Sequence, residues 1–184
     1  MSGHNKWSKI KHKKAATDAV KSRIFSKHSA LIAMESRKAK GDVNSPGLAA
    51  VITRAKQDSM PKDNIDRAVL KGAGAGGEAL QEVIFEAFGP GGVAIIITAV
   101  TDNNNRTSQE IRSTFTKAGY SLGSPGTSMW AFTKTANGYA PQNPTELSDS
   151  DGEKLAELIE ALEEQEDIQD IYTSADTPET NEES

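Results

Sequence analysis

Charge is sorted along this chain rather than mixed, and the sorting constrains what can pack against what. Residues 1–71 carry 16 Lys and Arg against 6 Asp and Glu, a net of +10. Residues 72–135 carry 4 against 5, and residues 136–184 carry 1 against 15, a net of -14. The whole chain is acidic at -5, so its basic head is a local feature. A concentrated basic segment on an acidic protein points to a polyanion-binding surface. The first 16 residues are too cationic to hold a helix alone, because neighbouring like charges repel. They read as an arm that orders on contact.

Length and composition narrow the class. The 184 residues, 36% hydrophobic and 26% charged, allow one large domain or two small ones. The longest apolar stretch, VAIIITAV at 93–100, fits a buried strand and is far too short to span a membrane. No apolar region follows the basic N-terminus, which argues against a secretory signal. Trp7 and the dominance of lysine over arginine argue against a mitochondrial presequence. With 0 Cys there is no disulfide framework or thiolate chemistry. The expected location is cytoplasmic.

Along the chain, Thr17 or Asp18 opens a helix running to about Lys40, with Val20, Ile24, His28, Leu31 and Ile32 on one face. Ser45-Pro46 is a cap followed by proline at the first helical position; it opens a second helix with Leu48, Val51, Ile52 and Ala55 inward. Met60-Pro61 interrupts it. A third helix follows, with Ile65, Ala68 and Val69 inward and Gly72 as its stop. The expectation is a basic three-helix domain over 1–71, a glycine-rich linker at 72–77 and an α+β domain over 78–173.

In that second domain, 83–88 and 93–101 read as strands joined by a hairpin turn at Gly89-Pro90-Gly91-Gly92. Thr107-Ser108-Gln109-Glu110 reads as a capping box opening a helix with Ile111, Phe115 and Ala118 inward. Residues 128–134 read as a strand and 135–149 as a turn-rich loop. Asp149 or Ser150 caps a helix with Leu155, Leu158, Ile159 and Leu162 on one face. Residues 168–173 are a last strand, and 174–184 a disordered acidic tail. The order β-β-α-β-α-β predicts an α+β sandwich with both helices on one face of the sheet.

Several residue groups could carry chemistry. Lys6, Lys9, Lys11, Lys13 and Lys14, interleaved with Ile10 and His12, can pair with successive phosphates, and Lys21, Arg23 and Lys27 continue the run. Trp7 can stack on a base or ribose, or pack onto the helical domain as an anchor; both readings stand. Arg106, at a strand end before a helix N-terminus, is a candidate second phosphate contact. His4, His12 and His28 match no common zinc spacing, and His28 fits a hydrogen-bonded structural role. No metal or other cofactor is expected. No nucleophile–base or paired-carboxylate arrangement is evident, so no enzyme is expected, nor a small-molecule substrate.

The residues also carry a family pattern. Gly3-His4, Lys6-Trp7, Ile10-Lys11-His12, Lys14-Ala15-Ala16, Asp18-Ala19, Lys21, Phe25 and Lys27 resemble the opening of the YebC/PmpR family. Met60-Pro61-Lys62-Asp63-Asn64-Ile65, Gly89 to Ala94, Thr101-Asp102-Asn103 and Asn105-Arg106-Thr107 continue the resemblance, which covers roughly residues 3–134. Asn5, Ser45 and Ala87 are small departures from it. The resemblance implies transcriptional regulators that bind DNA, with other members acting as translational activators on ribosomes. It also implies three domains, the third inserted within the second. Here Leu155 to Tyr172 resembles the family's C-terminal helix and strand, yet follows only a short stretch. The expectation is a member lacking the inserted third domain, with the loop at 135–149 in its place.

The leading expectation is therefore a non-enzymatic, monomeric, nucleic-acid-binding regulator. Its partner is DNA, or ribosomal or transfer RNA and with it the ribosome. The alternative is a protein–protein adaptor docking through its acidic C-terminal face, with no membrane partner in either case.

Overall fold

The computed structural model describes residues 18–74 and 79–176. Lys6, Trp7, Lys9, Lys11, His12, Lys13 and Lys14 of the arm lie outside the described residues, as do linker residues 75–77 and the tail beyond Asp176.

Three helices form the first unit: α1 (Asp18–Lys38), α2 (Pro46–Gln57) and α3 (Lys62–Ala73). The breaks fall where Gly41, Ser45-Pro46 and Met60-Pro61 predict them. Gly41 has φ +82, and Pro46 takes the first helical position of α2. Ile32, Leu48, Ala55, Met60, Ile65 and Ala68 form the core. The Ser36 hydroxyl donates to the Val69 carbonyl at 2.7 Å, tying α1 to α3. Gly72 corrects the sequence reading: it lies within α3 and does not stop it. A Cβ there would run into the backbone oxygen of Ala33 and stand 2.7 Å from Ser36 Cβ. The missing side chain is what lets α3 approach α1 so closely.

The second unit is built on a three-stranded antiparallel sheet of β1 (Gln81–Phe88), β2 (Ala94–Thr101) and β5 (Ile168–Thr173), in the order β1-β2-β5. The Gly89–Gly92 segment closes the β1–β2 hairpin, and Phe88 pairs with Ala94. Every residue of β2 is buried, which explains why it reads as a continuous apolar run without alternation. Helices α4 (Asn104–Lys117) and α5 (Asp149–Glu163) both cover one face. There Ile95, Ile97, Ile111, Phe115, Leu155, Leu158 and Leu162 share a core. This is the α+β architecture the pattern predicts.

Several details differ from expectation. Residues 128–134 are not one strand: Met129–Ala131 is a 3-10 turn, and only β3 (Phe132–Thr135) is extended. β3 does not join the main sheet. It pairs with β4 (Gly138–Pro141), which lies inside the stretch read as a loop, and this hairpin covers Ala94 and Ile96 on the sheet's other face. The first helical cap after β2 is Asn103, whose side chain accepts from the Arg106 N–H, a turn earlier than the Thr107 box. Ala118 is exposed. Finally, Ser174–Asp176 belong to the fold: the Ser174 hydroxyl accepts from the Ala94 N–H at 2.9 Å, and Asp176 N–H donates to Thr145 O.

Candidate nucleic-acid interface

Of the basic residues singled out in the sequence, Lys21, Arg23, Lys27 and Arg106 fall within the described residues. On α1, Arg23 and Lys27 are one turn apart and share a face, with Lys21 across the helix. Lys21 is exposed, whereas Arg23 and Lys27 are half-buried. Lys40, Lys56, Lys62 and Lys71 are also exposed on this helical unit.

Lys27 is placed by a neighbour no local pattern reveals. Its Nζ donates to the backbone oxygen of Glu163 at 3.3 Å, at the C-terminus of α5. Helix ends leave carbonyls without intrahelical partners and carry partial negative charge, so a cation there is favoured. Burial pushes the Lys27 ammonium below its ordinary value; Glu163 opposes that shift and Arg23 adds to it. Beside this contact, Gln169 Nε2 donates to Lys27 O at 3.2 Å, and Arg54 faces Asp170 at 3.7 Å. Lys27 thus joins the two units, and an incoming phosphate would compete with α5 for it.

Arg106 is also engaged. Its guanidinium donates to Asp102 at 2.8 Å and Asp167 at 3.0 Å, and these two hydrogen bonds raise its pKa further. Asp167 accepts in turn from the Thr107 hydroxyl at 2.6 Å, with Thr101 Oγ1 2.8 Å from the same oxygen. This network explains why Thr107 is buried and cannot cap α4. It ties the start of α4 to the turn before β5. A phosphate at Arg106 would have to displace two carboxylates. His28, read as a structural histidine, is buried with Nε2 2.6 Å from Asp58 Oδ2.

A second constellation escaped the sequence reading. Glu86 of β1 is only 6% exposed. One carboxylate oxygen accepts from Gly126 N–H at 2.7 Å; the other accepts from Ser128 N–H at 2.8 Å and Met129 N–H at 2.7 Å. Burial alone would push this carboxyl up, but the three donors overcome it and hold its pKa below the usual range. With their N–H groups committed to Glu86, Ser128 and Met129 cannot enter a strand ladder, which is the physical reason for the 3-10 turn. That turn carries Trp130, 67% exposed.

Comparison with known proteins places the chain. The family model described as the TACO1/YebC protein N-terminal domain matches residues 5–75. The one described as the TACO1/YebC second and third domain matches residues 80–138 and 133–175. This chain belongs to the TACO1/YebC family.

Relatives of this TACO1/YebC chain are named probable transcriptional regulatory proteins. One from Fervidobacterium nodosum is 34% identical over 237 aligned positions, covering 96% of this chain and 94% of the relative. One from Dictyoglomus thermophilum is 42% identical over 181 positions, covering 97% and 70%. One from Geobacter sulfurreducens is 48% identical over 136 positions; the match takes in 73% of this chain and 55% of that relative's length. A crystal structure of a conserved hypothetical protein from Aquifex aeolicus superposes with a TM-score of 0.78 at 26% identity, over 91% of this chain and 95% of that one. It carries the same TACO1/YebC-like fold.

Among the residues that sequence reasoning missed, Glu86 had a signal. It is an acid inside an apolar strand, at a position whose partner Ile96 faces the same side of the sheet. Trp130 stood out only as one of 2 tryptophans. Arg54 and Asp170 gave no signal, since their pairing depends on how the two units pack.

Proposed function

We propose that this chain is a non-enzymatic, nucleic-acid-binding regulator of gene expression, gripping the phosphate backbone with its N-terminal arm and the exposed lysines of its helical unit. The observation that carries the reading is the sorting of charge: net +10 over residues 1–71 of a chain that is -5 overall. The names of its relatives support a regulatory role. Lys6, Lys9, Lys11, Lys13 and Lys14 supply the main phosphate contacts, with Trp7 among them. Lys21 and Arg23 extend the contact onto α1. Lys27 and Arg106 contribute less, because each is held by a partner within the fold.

The chain also reads as lacking the family's inserted third domain. The alignment with the Fervidobacterium relative is 237 positions long, against 184 residues here. The model for the second and third domains matches in two stretches that meet at 133–138, at the turn of the β3–β4 hairpin. A cytoplasmic monomer fits this reading.

The test is to replace the five arm lysines by serine and measure affinity across a salt series. Each phosphate contact contributes about 0.9 to the slope of log affinity against log salt on duplex DNA. The variant should bind about a hundredfold more weakly at physiological salt, with a slope shallower by about 4.5 if all five lysines contact phosphates. Unchanged affinity and slope would sink the reading and leave the acidic face as a protein-docking surface. Co-sedimentation with ribosomes at graded salt, set against the shift of a defined duplex, separates an RNA partner from a DNA partner.

A further inference from the structure

The sheet face opposite α4 and α5 is only partly covered by the described residues. The register puts Ile84, Glu86 and Phe88 of β1 opposite Thr98, Ile96 and Ala94 of β2, all on that face. The β3–β4 hairpin and Met129 cover the Ala94 and Ile96 end. The helical unit lies at the Thr98 end, where Asp170, the strand partner of Thr98, meets Arg54. Between the two, on the β1 side, Ile84 is 42% exposed and Phe88 37% exposed. Trp130 stands at the hairpin end of this opening.

The Trp130 side chain is held rather than loose. Its indole N–H donates to Thr127 O at 2.8 Å. The loop beneath it is fixed through Gly126, Ser128 and Met129 to the Glu86 carboxylate. With the indole N–H bonded to the loop, the ring is fixed in place and still mostly exposed. We propose that Trp130 is a stacking platform for an unpaired base of single-stranded nucleic acid, through which the α+β unit distinguishes unpaired strands from duplex.

This rests on the nucleic-acid reading above and names the form of ligand it prefers. Every base has a π face, so stacking on a fixed aromatic tolerates any sequence. Bases inside a duplex are already stacked and paired, and reach such a ring only if splayed out. The strand's phosphates need cations nearby. The helical unit on the same sheet face supplies them, with 11 Lys and Arg against 6 Asp and Glu over residues 18–74, and exposed Lys134 lies on the hairpin itself. A stable protein partner would need an interface of roughly 20–30 residues a side; two apolar side chains on an open strand and one on a turn suit a base better.

The test uses tryptophan fluorescence. The chain has 2 tryptophans, so Trp7→Phe leaves Trp130 as the sole reporter. Full-length protein is titrated with oligonucleotides of about 12 nucleotides: single-stranded RNA, single-stranded DNA and the corresponding duplexes. Both single strands should quench Trp130, and the stronger of them identifies the natural source. Trp130→Ala should weaken single-strand binding about tenfold and leave duplex binding within about twofold, with Trp130→Phe recovering part of the loss. Silent Trp130 fluorescence at saturating single strand, or an equal loss on both forms, overturns the proposal. If strands bind while Trp130 stays silent, the stacking role alone falls. If no nucleic acid binds in any form, the regulator reading falls with it.

Discussion

A Glu86→Ala chain is expected to lose about 4 kcal/mol of stability in the α+β unit, because three backbone N–H groups, that of Ser128 buried and the others partly so, lose their charged acceptor. Domains of this size hold about 5–15 kcal/mol in total, so urea denaturation followed by circular dichroism should find this unit close to unfolded. Glu86→Gln is the sharper variant. One amide oxygen can serve Ser128 and Met129 together, but the amide nitrogen then faces the Gly126 N–H, donor against donor. A loss of about 2 kcal/mol is expected. The pH dependence separates charge from shape. The folded-state pKa of Glu86 is held low, so its contribution is complete above the ordinary glutamate value of about 4.3 and disappears as pH falls through the lower folded value. The gap between wild type and Glu86→Gln should therefore be constant near neutrality and close in acid. A gap that stays constant down to the acid limit would show that the carboxylate charge is not what holds the loop.

Gly72→Ala should destabilise the helical unit by about 3 kcal/mol, although alanine is the better helix former by about 1 kcal/mol. The inverted sign is the diagnostic feature. The new Cβ meets Ala33 backbone and Ser36 Cβ, which move only if α1 and α3 separate, and separation breaks the bond from Ser36 to Val69. Gly47→Ala is the control, since its Cβ meets only the flexible end of Glu35, 2.6 Å from Oε2. That variant should be neutral or slightly stabilising. Thermal unfolding of the pair gives the comparison; a Gly72→Ala chain at least as stable as wild type would rule out the tight crossing.

Where the sequence reading succeeded, the deciding interactions were local. Ser45-Pro46, Met60-Pro61 and Gly89-Pro90 act through their own backbone within a few residues, and the breaks fall where they predict. The period of Leu155, Leu158 and Leu162 is likewise a property of one helix, and all three are buried. The misreadings share a different cause. Ser128 and Met129 are withheld from a strand by Glu86, some forty residues earlier. Thr107 is drawn from its expected capping role by Thr101 and by Asp167, 60 residues away. Arg106 and Lys27 look like free cations in sequence because Asp167 and the end of α5 come to them only through the fold. Gly72 reads as a stop because its true reason, the backbone of Ala33, lies on another helix. The candidate site reads in the sequence as a cationic run, while the side chains that hold or expose each of its described groups do not show there.

The β3–β4 hairpin has an evolutionary consequence. Its ladder pairs Thr135 with Gly138, so the chain leaves and returns at neighbouring points beside the sheet without entering the β1-β2-β5 ladder. Closing a longer excursion there costs little, since each doubling of loop length adds only about 0.6 kcal/mol. A turn with that geometry can gain or shed a whole folding unit with almost no selective penalty on the scaffold beneath it. Lineages can therefore lengthen or shorten this protein at one point while the basic end and the sheet stay under their own, separate constraints.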